Sequence, residues 1–125
     1  MTRKEKELLA KDLSGRLDYE PYIKIEGCTN GCSNVFLTGI YYDYEDYGAK
    51  NYYVNNGYDI SRVKPYLFPL SSMTKDQSKI YHELIGGMFG TSSLICFEVL
   101  EDFFHKNHFD YRGLIPMGLA IDATN

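Results

Sequence analysis

The ten residues NYYVNNGYDI, positions 51–60, carry the clearest strand–turn–strand pattern in the chain. Residues 51–54 are aromatic and β-branched and predict a strand, and residues 58–60 predict its partner. Residues 55–57 favour a tight turn, because Asn and Gly tolerate the positive φ angles that such turns require. This segment therefore predicts a β-hairpin at the centre of a strand-rich region.

Short strand signals continue on both sides of this hairpin. Residues 22–26 alternate apolar and polar side chains, and residues 35–42 are β-branched and aromatic, with Gly39 as a candidate bulge. Residues 65–69 begin and end with proline, which excludes a central strand because proline has no N–H to donate. Four or five short strands with tight turns predict a small, curled antiparallel sheet, an SH3-like partial barrel.

Helical signals flank these strands. Residues 4–13 place leucines on one face, and Gly15 is expected to end this first helix. After the strands, residues 74–77 (TKDQ) match a capping box that opens a helix, which residues 86–87 (GG) are expected to end. The apolar face of this second helix consists of Ile80, Tyr81, Leu84 and Ile85.

The strongest helical pattern follows, with Ser92 or Ser93 as its cap and Asn107 as its left-handed terminal residue. It is apolar over most of its circumference, which predicts the spine of the core. Its apolar residues are Leu94, Ile95, Cys96, Phe97, Val99, Leu100, Phe103 and Phe104. Its polar stripe consists of Glu98, Glu101, Asp102 and His105. Residues 111–115 are expected to add a short turn of helix before Pro116.

The strand-rich region (residues 19–70) and the helical region (residues 74–115) are expected to form one domain over residues 1–125. Each half is only about 50–60 residues long, a size at which a separate core is marginal. The predicted fold class is α+β, with an N-terminal helix, a small curled antiparallel (SH3-like) sheet and two or three C-terminal helices.

Composition excludes several classes of function. The chain has 13 Lys and Arg against 17 Asp and Glu, a net charge of −4, and 44% apolar residues. This balance argues against disorder, and the negative charge argues against nucleic-acid binding. No apolar run approaches the ~18–20 residues of a membrane span, and the first residues lack the apolar core of a secretory signal. We therefore expect a cytoplasmic protein with neither a nucleic-acid nor a membrane partner.

The cysteines and histidines raise two hypotheses about chemistry. Cys28 and Cys32, with His105 and His108, are the ligand types of a structural zinc site, but their spacing is atypical. The same residues could supply a thiolate nucleophile and its base, although no catalytic signature accompanies them. The odd total, completed by Cys96, indicates reduced thiols. The favoured interpretation is a turn and two exposed histidines, with no metal and no cofactor.

Two further patterns have ordinary structural interpretations. Asp43, Glu45 and Asp46 could form a carboxylate pair or a Mg²⁺ site, but a charged, solvated hairpin tip is favoured. The glycine-rich residues 86–92 precede a helix, as phosphate-binding loops do, but they follow a helix and lack the lysine of a Walker loop. A helix–helix connection is favoured there.

Tyrosine is the unusual residue, with 12 Tyr and no Trp. In the adjacent pairs Tyr41–Tyr42 and Tyr52–Tyr53, one ring of each must point away from the core, because side chains alternate along a strand. Outward rings beside carboxylates would suit a basic protein partner, unless a terminal segment covers them. The predicted binding residues are Tyr41, Tyr42, Asp43, Tyr44, Glu45, Asp46, Tyr47, Tyr52 and Tyr53.

Three segments resemble a family of small uncharacterised proteins encoded by gut bacteria and their bacteriophages or mobile elements. They are residues 63–74 (VKPYLFPLSSMT), 107–115 (NHFDYRGLI) and 10–17 (AKDLSGRL). The resemblance implies a phage or mobile-element origin. It brings no known activity and therefore no catalytic residues. Because members of that family continue a few residues past Asn125, it also implies that this chain ends short of their length.

The function that these patterns favour is non-enzymatic protein binding through the acidic, Tyr-rich surface, with a host or phage protein as the partner. A small-ligand or nucleotide-binding module with a pocket lined by Tyr and Cys is the first alternative. An enzyme of unknown class with a Cys/His site is the second. The oligomeric state is left open by the sequence.

Overall fold

The computed structural model describes residues 1–27, 34–44, 48, 50–88 and 93–124. It begins with helix α1 (Arg3–Arg16), whose first turn is closed by a capping box between Thr2 and Glu5. The expected stop at Gly15 is wrong, since the helix continues to Arg16. Gly15 instead makes room for a neighbour, because a Cβ there would lie 2.7 Å from the ring of His105.

The described residues form two open sheets. The strands are β1 (Tyr22–Ile25), β2 (Asn34–Phe36), β3 (Ile40–Tyr44), β4 (Lys50–Val54), β5 (Tyr58–Asp59), β6 (Val63–Pro69), β7 (Phe109–Asp110) and β8 (Ile121–Asp122). One sheet has the order β2-β1-β6-β7, with β8 also paired to β6, and the other has the order β3-β4-β5. All pairs are antiparallel except the short parallel ones of β7 and β8 with β6. The α+β fold is thus confirmed, whereas the sheets do not close into a barrel and the SH3-like detail is not confirmed.

The predicted central hairpin is confirmed. Strands β4 and β5 pair with Val54 opposite Tyr58, and the turn between them has Asn55 at φ 53° and Gly57 at φ 115°. These are the left-handed angles for which the Asn-Asn-Gly sequence is suited.

The predicted strand over residues 35–42 is interrupted. β2 ends at Phe36 and β3 begins at Ile40, so the chain leaves one sheet and enters the other between them. Leu37 is fully buried at this crossing. The side chain of Asn55 holds it by accepting from the N–H of Thr38 and donating to the carbonyl of Phe36. A bulge at Gly39 is therefore wrong: Leu37 donates its N–H to the carbonyl of Pro21 beside the first sheet, and Gly39 accepts from the N–H of Asn55 beside the second, so the chain passes between the sheets at Thr38.

The exclusion of a central strand at residues 65–69 is also wrong, because these residues belong to β6, which lies in the middle of its sheet. Glu26 donates its N–H to the carbonyl of Arg62, and residues alternate in their bonding direction along an antiparallel ladder. Pro65, opposite Ile23, therefore directs its nitrogen away from β1. On that other side of β6 the partner strand is β8, and its pairing with β6 starts at Tyr66, one residue after the proline. The missing N–H costs no hydrogen bond there.

Two helices follow the sheets. α2 (Lys75–Met88) begins with the predicted capping box, since Thr74 and Gln77 each accept from the other's N–H. It passes through the glycines that were expected to end it, because glycine permits helical angles as readily as left-handed ones. Ile80, expected on its buried face, is exposed.

The prediction that α3 (Ser93–Lys106) is the spine of the core is wrong. Leu100 and Phe104 are buried with Phe109 in a small second cluster, but Phe97 is 53% exposed and Val99 is exposed as well. The helix contacts α2, α1 and β7, and these contacts leave Phe97 and Val99 uncovered. Cys96 lies among residues whose side chains the structure does not describe.

The main core lies between α1 and the sheets and includes the C-terminal segment. Its buried members are Leu9, Ala10, Leu13, Ile23, Ile25, Leu37, Val54, Ile60, Val63, Leu67, Leu114, Leu119 and Ala120. Residues 111–115 form a loop and not a helical turn, because the carboxylate of Asp110 accepts from the N–H groups of Leu114 and Ile115. In the part of the chain that is described, no helix is long and apolar enough to cross a membrane.

Candidate functional site

The strands β3 and β4 form an arm that extends away from the core. At its base Ile40 pairs with Val54, which is fully buried, and toward its tip Tyr44 pairs with the exposed Lys50. Burial therefore falls along the arm as it leaves the main core, although Arg3 and Glu7 of α1 still lie near Lys50. We call the described residues 40–44 and 50–54 the hairpin arm.

Three rings of the hairpin arm face solvent. Tyr41, Tyr42 and Tyr44 are 55%, 57% and 61% exposed. Tyr42 and Tyr44 share one face of the arm, whereas Tyr41 lies on the other, as strand alternation requires. The arm thus presents tyrosine on both faces.

The rings on one face are held in a fixed arrangement. The centroids of Tyr42 and Tyr44 are 5.7 Å apart in an edge-to-face geometry, and Tyr52 lies 6.4 Å from Tyr42. The ammonium of Lys50 lies 4.6 Å from the centroid of Tyr42 and 5.9 Å from that of Tyr44. Such contacts contribute about 0.5–1 kcal/mol each at exposed sites, enough to order the rings before any partner arrives.

The predicted binding residues have different positions. Tyr41, Tyr42, Asp43 and Tyr44 are exposed, and Tyr53 is half-buried. Tyr52 is half-buried against the main core, beside a polar hollow lined by Arg3 and Glu7 of α1 and by Lys50. The alternative that a terminal segment covers the tyrosine rings therefore holds for Tyr52, which lies near α1, but not for the three exposed rings. Glu45, Asp46 and Tyr47 lie outside the described residues.

The zinc hypothesis is not supported by the histidines. His105 was expected on an exposed stripe, but it is buried, and its Nε2 lies 2.8 Å from the hydroxyl of Tyr111. Asn107 was expected to adopt the left-handed conformation at the end of α3, but the residue that adopts it is His108, with φ 58°. Within the described residues, no three His, Cys, Asp or Glu side chains are grouped to hold a metal ion. Cys28 and Cys32 lie outside those residues.

A buried polar network joins α1, α3 and the C-terminal loop. The fully buried carboxylate of Asp12 accepts from Nε of Arg16 at 2.7 Å and from Nε of Arg112 at 3.1 Å. Arg16, also fully buried, donates to the carbonyl of Phe109 at 2.6 Å. Arg112 continues the network to Glu101, 3.4 Å away.

The network also orders His105. Tyr111 donates its one hydroxyl proton to Glu101 at 3.0 Å, so His105 must donate to Tyr111 from Nε2. Burial, and next the charge of Arg16, lower the pKa of His105, whereas Asp12 and Glu101 oppose and Arg112 assists this shift. Burial raises the pKa of Tyr111 to about 12, and its hydrogen bond to Glu101 acts in the same direction.

Perturbed pKa values often mark active sites, but among the described residues the cavity beside this network is small. The cavity beside Glu101 and Tyr111 measures about 20 Å³, the space of about one water molecule. The arrangement therefore acts as a structural connection between the two clusters.

A second surface, which the sequence did not single out, lies on the outer face of the first sheet. It is a cleft of about 470 Å³ whose aromatic lining consists of Tyr22, Phe36, Tyr66 and Phe68. Glu20 and His108 line it as well. We call this the aromatic cleft. Its signal was present in the sequence as aromatic residues two apart in β6, with buried Pro65 and Leu67 pointing to the opposite face.

Comparison with known proteins identifies no relative: no protein-family model matches the chain, and no curated protein or solved structure matches it either. Function is therefore inferred from the two surfaces alone.

Proposed function

We propose that this protein is a non-enzymatic binding module that captures another protein through the hairpin arm. The observation that carries the proposal is that Tyr41, Tyr42 and Tyr44 are all more than half exposed on one projecting element. Tyrosine offers a large rigid ring at low entropic cost, and it is enriched among the residues that dominate interface energies.

The charge of the chain favours a basic partner. Asp43 is exposed on the arm beside these rings, and the whole chain carries a net charge of −4. Complementary charge raises the rate at which two proteins meet, and this effect is strongest at low salt. The resemblance to proteins of gut bacteria and their phages makes a host or phage protein the proposed partner.

The test begins with affinity capture from host lysate and then measures binding kinetics with the purified partner. The charge-reversal variant Asp43→Lys with Asp46→Lys should lower the association rate by about tenfold or more at low salt, at an unchanged melting temperature. Replacing Tyr41, Tyr42 and Tyr44 by Ser should mainly raise the dissociation rate, because packed rings resist separation.

A matched control reverses two charges elsewhere. Glu83→Lys with Glu98→Lys changes the net charge equally, at exposed positions on α2 and α3. It should leave most of the association rate intact. Equal losses in both charge variants would show a non-specific charge effect, and unchanged binding of the Tyr variant would exclude the hairpin arm as the interface.

A further inference from the structure

The aromatic cleft has rings that are ordered yet uncovered. The centroids of Tyr22 and Phe36 are 5.2 Å apart, and Tyr22 stacks on Tyr66 at 5.6 Å. The hydroxyl of Tyr66 donates to Oδ1 of Asn34 at 2.6 Å, which fixes the ring on β6 against β2. Phe36 is nevertheless 58% exposed, and Tyr22 and Phe68 are exposed too. A prearranged, solvent-facing group of rings is costly in water unless it meets a ligand.

The charge of the lining is negative. Glu20 supplies a carboxylate to the lining of the cleft. His108, the other titratable group of the described lining besides the tyrosines, is kept neutral near pH 7, because burial and then the charge of Arg16 lower its pKa. On the neighbouring row of the same sheet face, the ammonium of Lys64 is held 3.3 Å from Glu26.

The backbone is strained at two residues that line the cleft. Glu20 has φ 48° and His108 has φ 58°, left-handed angles that are uncommon for residues other than glycine. A backbone hydrogen bond to the preceding turn holds each residue in this conformation. The N–H of Glu20 donates to the carbonyl of Leu17, and the N–H of His108 donates to that of His105. Strain of this kind collects at binding sites, where the surrounding fold maintains it.

We propose that the aromatic cleft binds the basic side chain, arginine or lysine, of a partner protein. Aromatic faces attract cations, and a carboxylate beside them adds an ion pair. The open form of the cleft favours a side chain presented by a macromolecule, because pockets for free small molecules enclose most of the ligand surface. This site lies on a different sheet from the hairpin arm and does not depend on the function proposed for it.

The experiment titrates the 125-residue chain with a blocked pentapeptide, GGRGG, and with its counterpart in which citrulline replaces arginine. Citrulline has nearly the same shape without the charge. Ring signals of Tyr22 and Phe36, followed by nuclear magnetic resonance, should shift saturably with the arginine peptide. The citrulline peptide should bind about tenfold more weakly, the size of an ion pair combined with cation–π contacts.

Three variants test which residues of the protein form this site. Glu20→Gln should weaken the arginine peptide by about three- to tenfold, because it removes the charge and keeps the shape. Lys24→Gln, on the neighbouring row, should leave the affinity equal or raise it. Glu83→Gln, at an exposed position on α2 outside both surfaces, should not change it.

Several outcomes would overturn the proposal. Equal affinity for the arginine and citrulline peptides would show that the cleft does not recognise charge. Full affinity in Glu20→Gln would remove the carboxylate from the site. Absence of a saturable shift of the ring signals with the arginine peptide would show that the cleft does not bind a basic side chain.

Discussion

At the scale of single residues, Gly15 and Gly86 both lie in helices but differ in the space around them. An added Cβ at Gly15 would lie 2.7 Å from the ring of His105, whereas nothing lies within 4 Å of one at Gly86. Intrinsic propensity favours alanine at both positions, because glycine costs about 1 kcal/mol in a helix. Local packing should therefore reverse the preference at one of them.

We predict that Gly15→Ala lowers the free energy of unfolding by roughly 1–3 kcal/mol, because His105 is buried and cannot move aside freely. Gly86→Ala should raise it by up to about 1 kcal/mol. Chemical denaturation of the two variants measures both changes. If both stabilised the protein, the close contact between α1 and His105 would be disproved.

His105 and His108 predict a stability that depends on pH. Both have a pKa below the ordinary 6.5 in the folded chain, burial being the main cause. As the pH falls below 6.5, the unfolded chain binds protons before the folded one does, so folding loses free energy. Stability is fully present above about pH 7 and declines toward the lower folded-state pKa.

The measurement is the free energy of unfolding between pH 7.5 and 5. His105→Gln should flatten this decline, because the unfolded chain then has one fewer proton to gain. His82→Gln, at an exposed position on α2, should retain it. A decline that is equally steep in both variants would show that His105 does not contribute.

At the scale of the elements, α3 shows how an apolar sequence can mislead. Its composition indicates burial all round, but a helix is buried only where another element covers it, and here Phe97 faces outward. Its neighbours Leu100 and Phe104 are covered by contacts with Phe109 and the C-terminal loop. The pattern identified the helix correctly and its environment wrongly.

We therefore predict that Leu100→Ala costs roughly 2–5 kcal/mol of stability, as a buried large-to-small change does. Phe97→Ala and Glu98→Ala should each lie within about 0.5 kcal/mol of the unmodified chain, since both side chains are exposed. Melting curves of the three variants measure these differences. A loss at Phe97 as large as that at Leu100 would show that Phe97 is covered in solution.

At the scale of the whole molecule, the charged network around Asp12 connects the N-terminal helix to residues about one hundred positions later. Asp12 has two guanidinium partners and no exposure, so removing its charge leaves Arg16 buried and uncompensated. Nη1 of Arg16 already has no hydrogen-bond partner among the described residues, so the loss of a further partner would leave more of the buried guanidinium unsatisfied.

Asp12→Asn is predicted to destabilise the fold by about 3–5 kcal/mol, the usual cost of breaking a buried ion pair. Glu26→Gln is the matched control, because its ion pair with Lys64 lies at the surface and should contribute less than about 1 kcal/mol. The two variants are compared by denaturant titration. A loss at Asp12 no greater than that at Glu26 would show that the network is not needed.

Local patterns along the chain determined much of this protein. The capping box at Thr74, the Asn-Asn-Gly turn, the strand β1 and the order of helix, strands and helices were all predicted, because each depends on neighbours a few residues apart. Strand alternation predicted that one ring of the pair Tyr41–Tyr42 is exposed, whereas the structure exposes both.

Only the tertiary structure decided which surfaces are covered. Tyr66 and Phe68 belong to the aromatic cleft because β1 and β2 pair on one side of β6 and nothing in the described chain covers their face. His105 is buried because Gly15, ninety positions earlier, lets α1 approach it. These contacts depend on how elements that are distant in the sequence pack against each other. The burial of a side chain and its pKa follow from that packing, so a local sequence pattern cannot predict them.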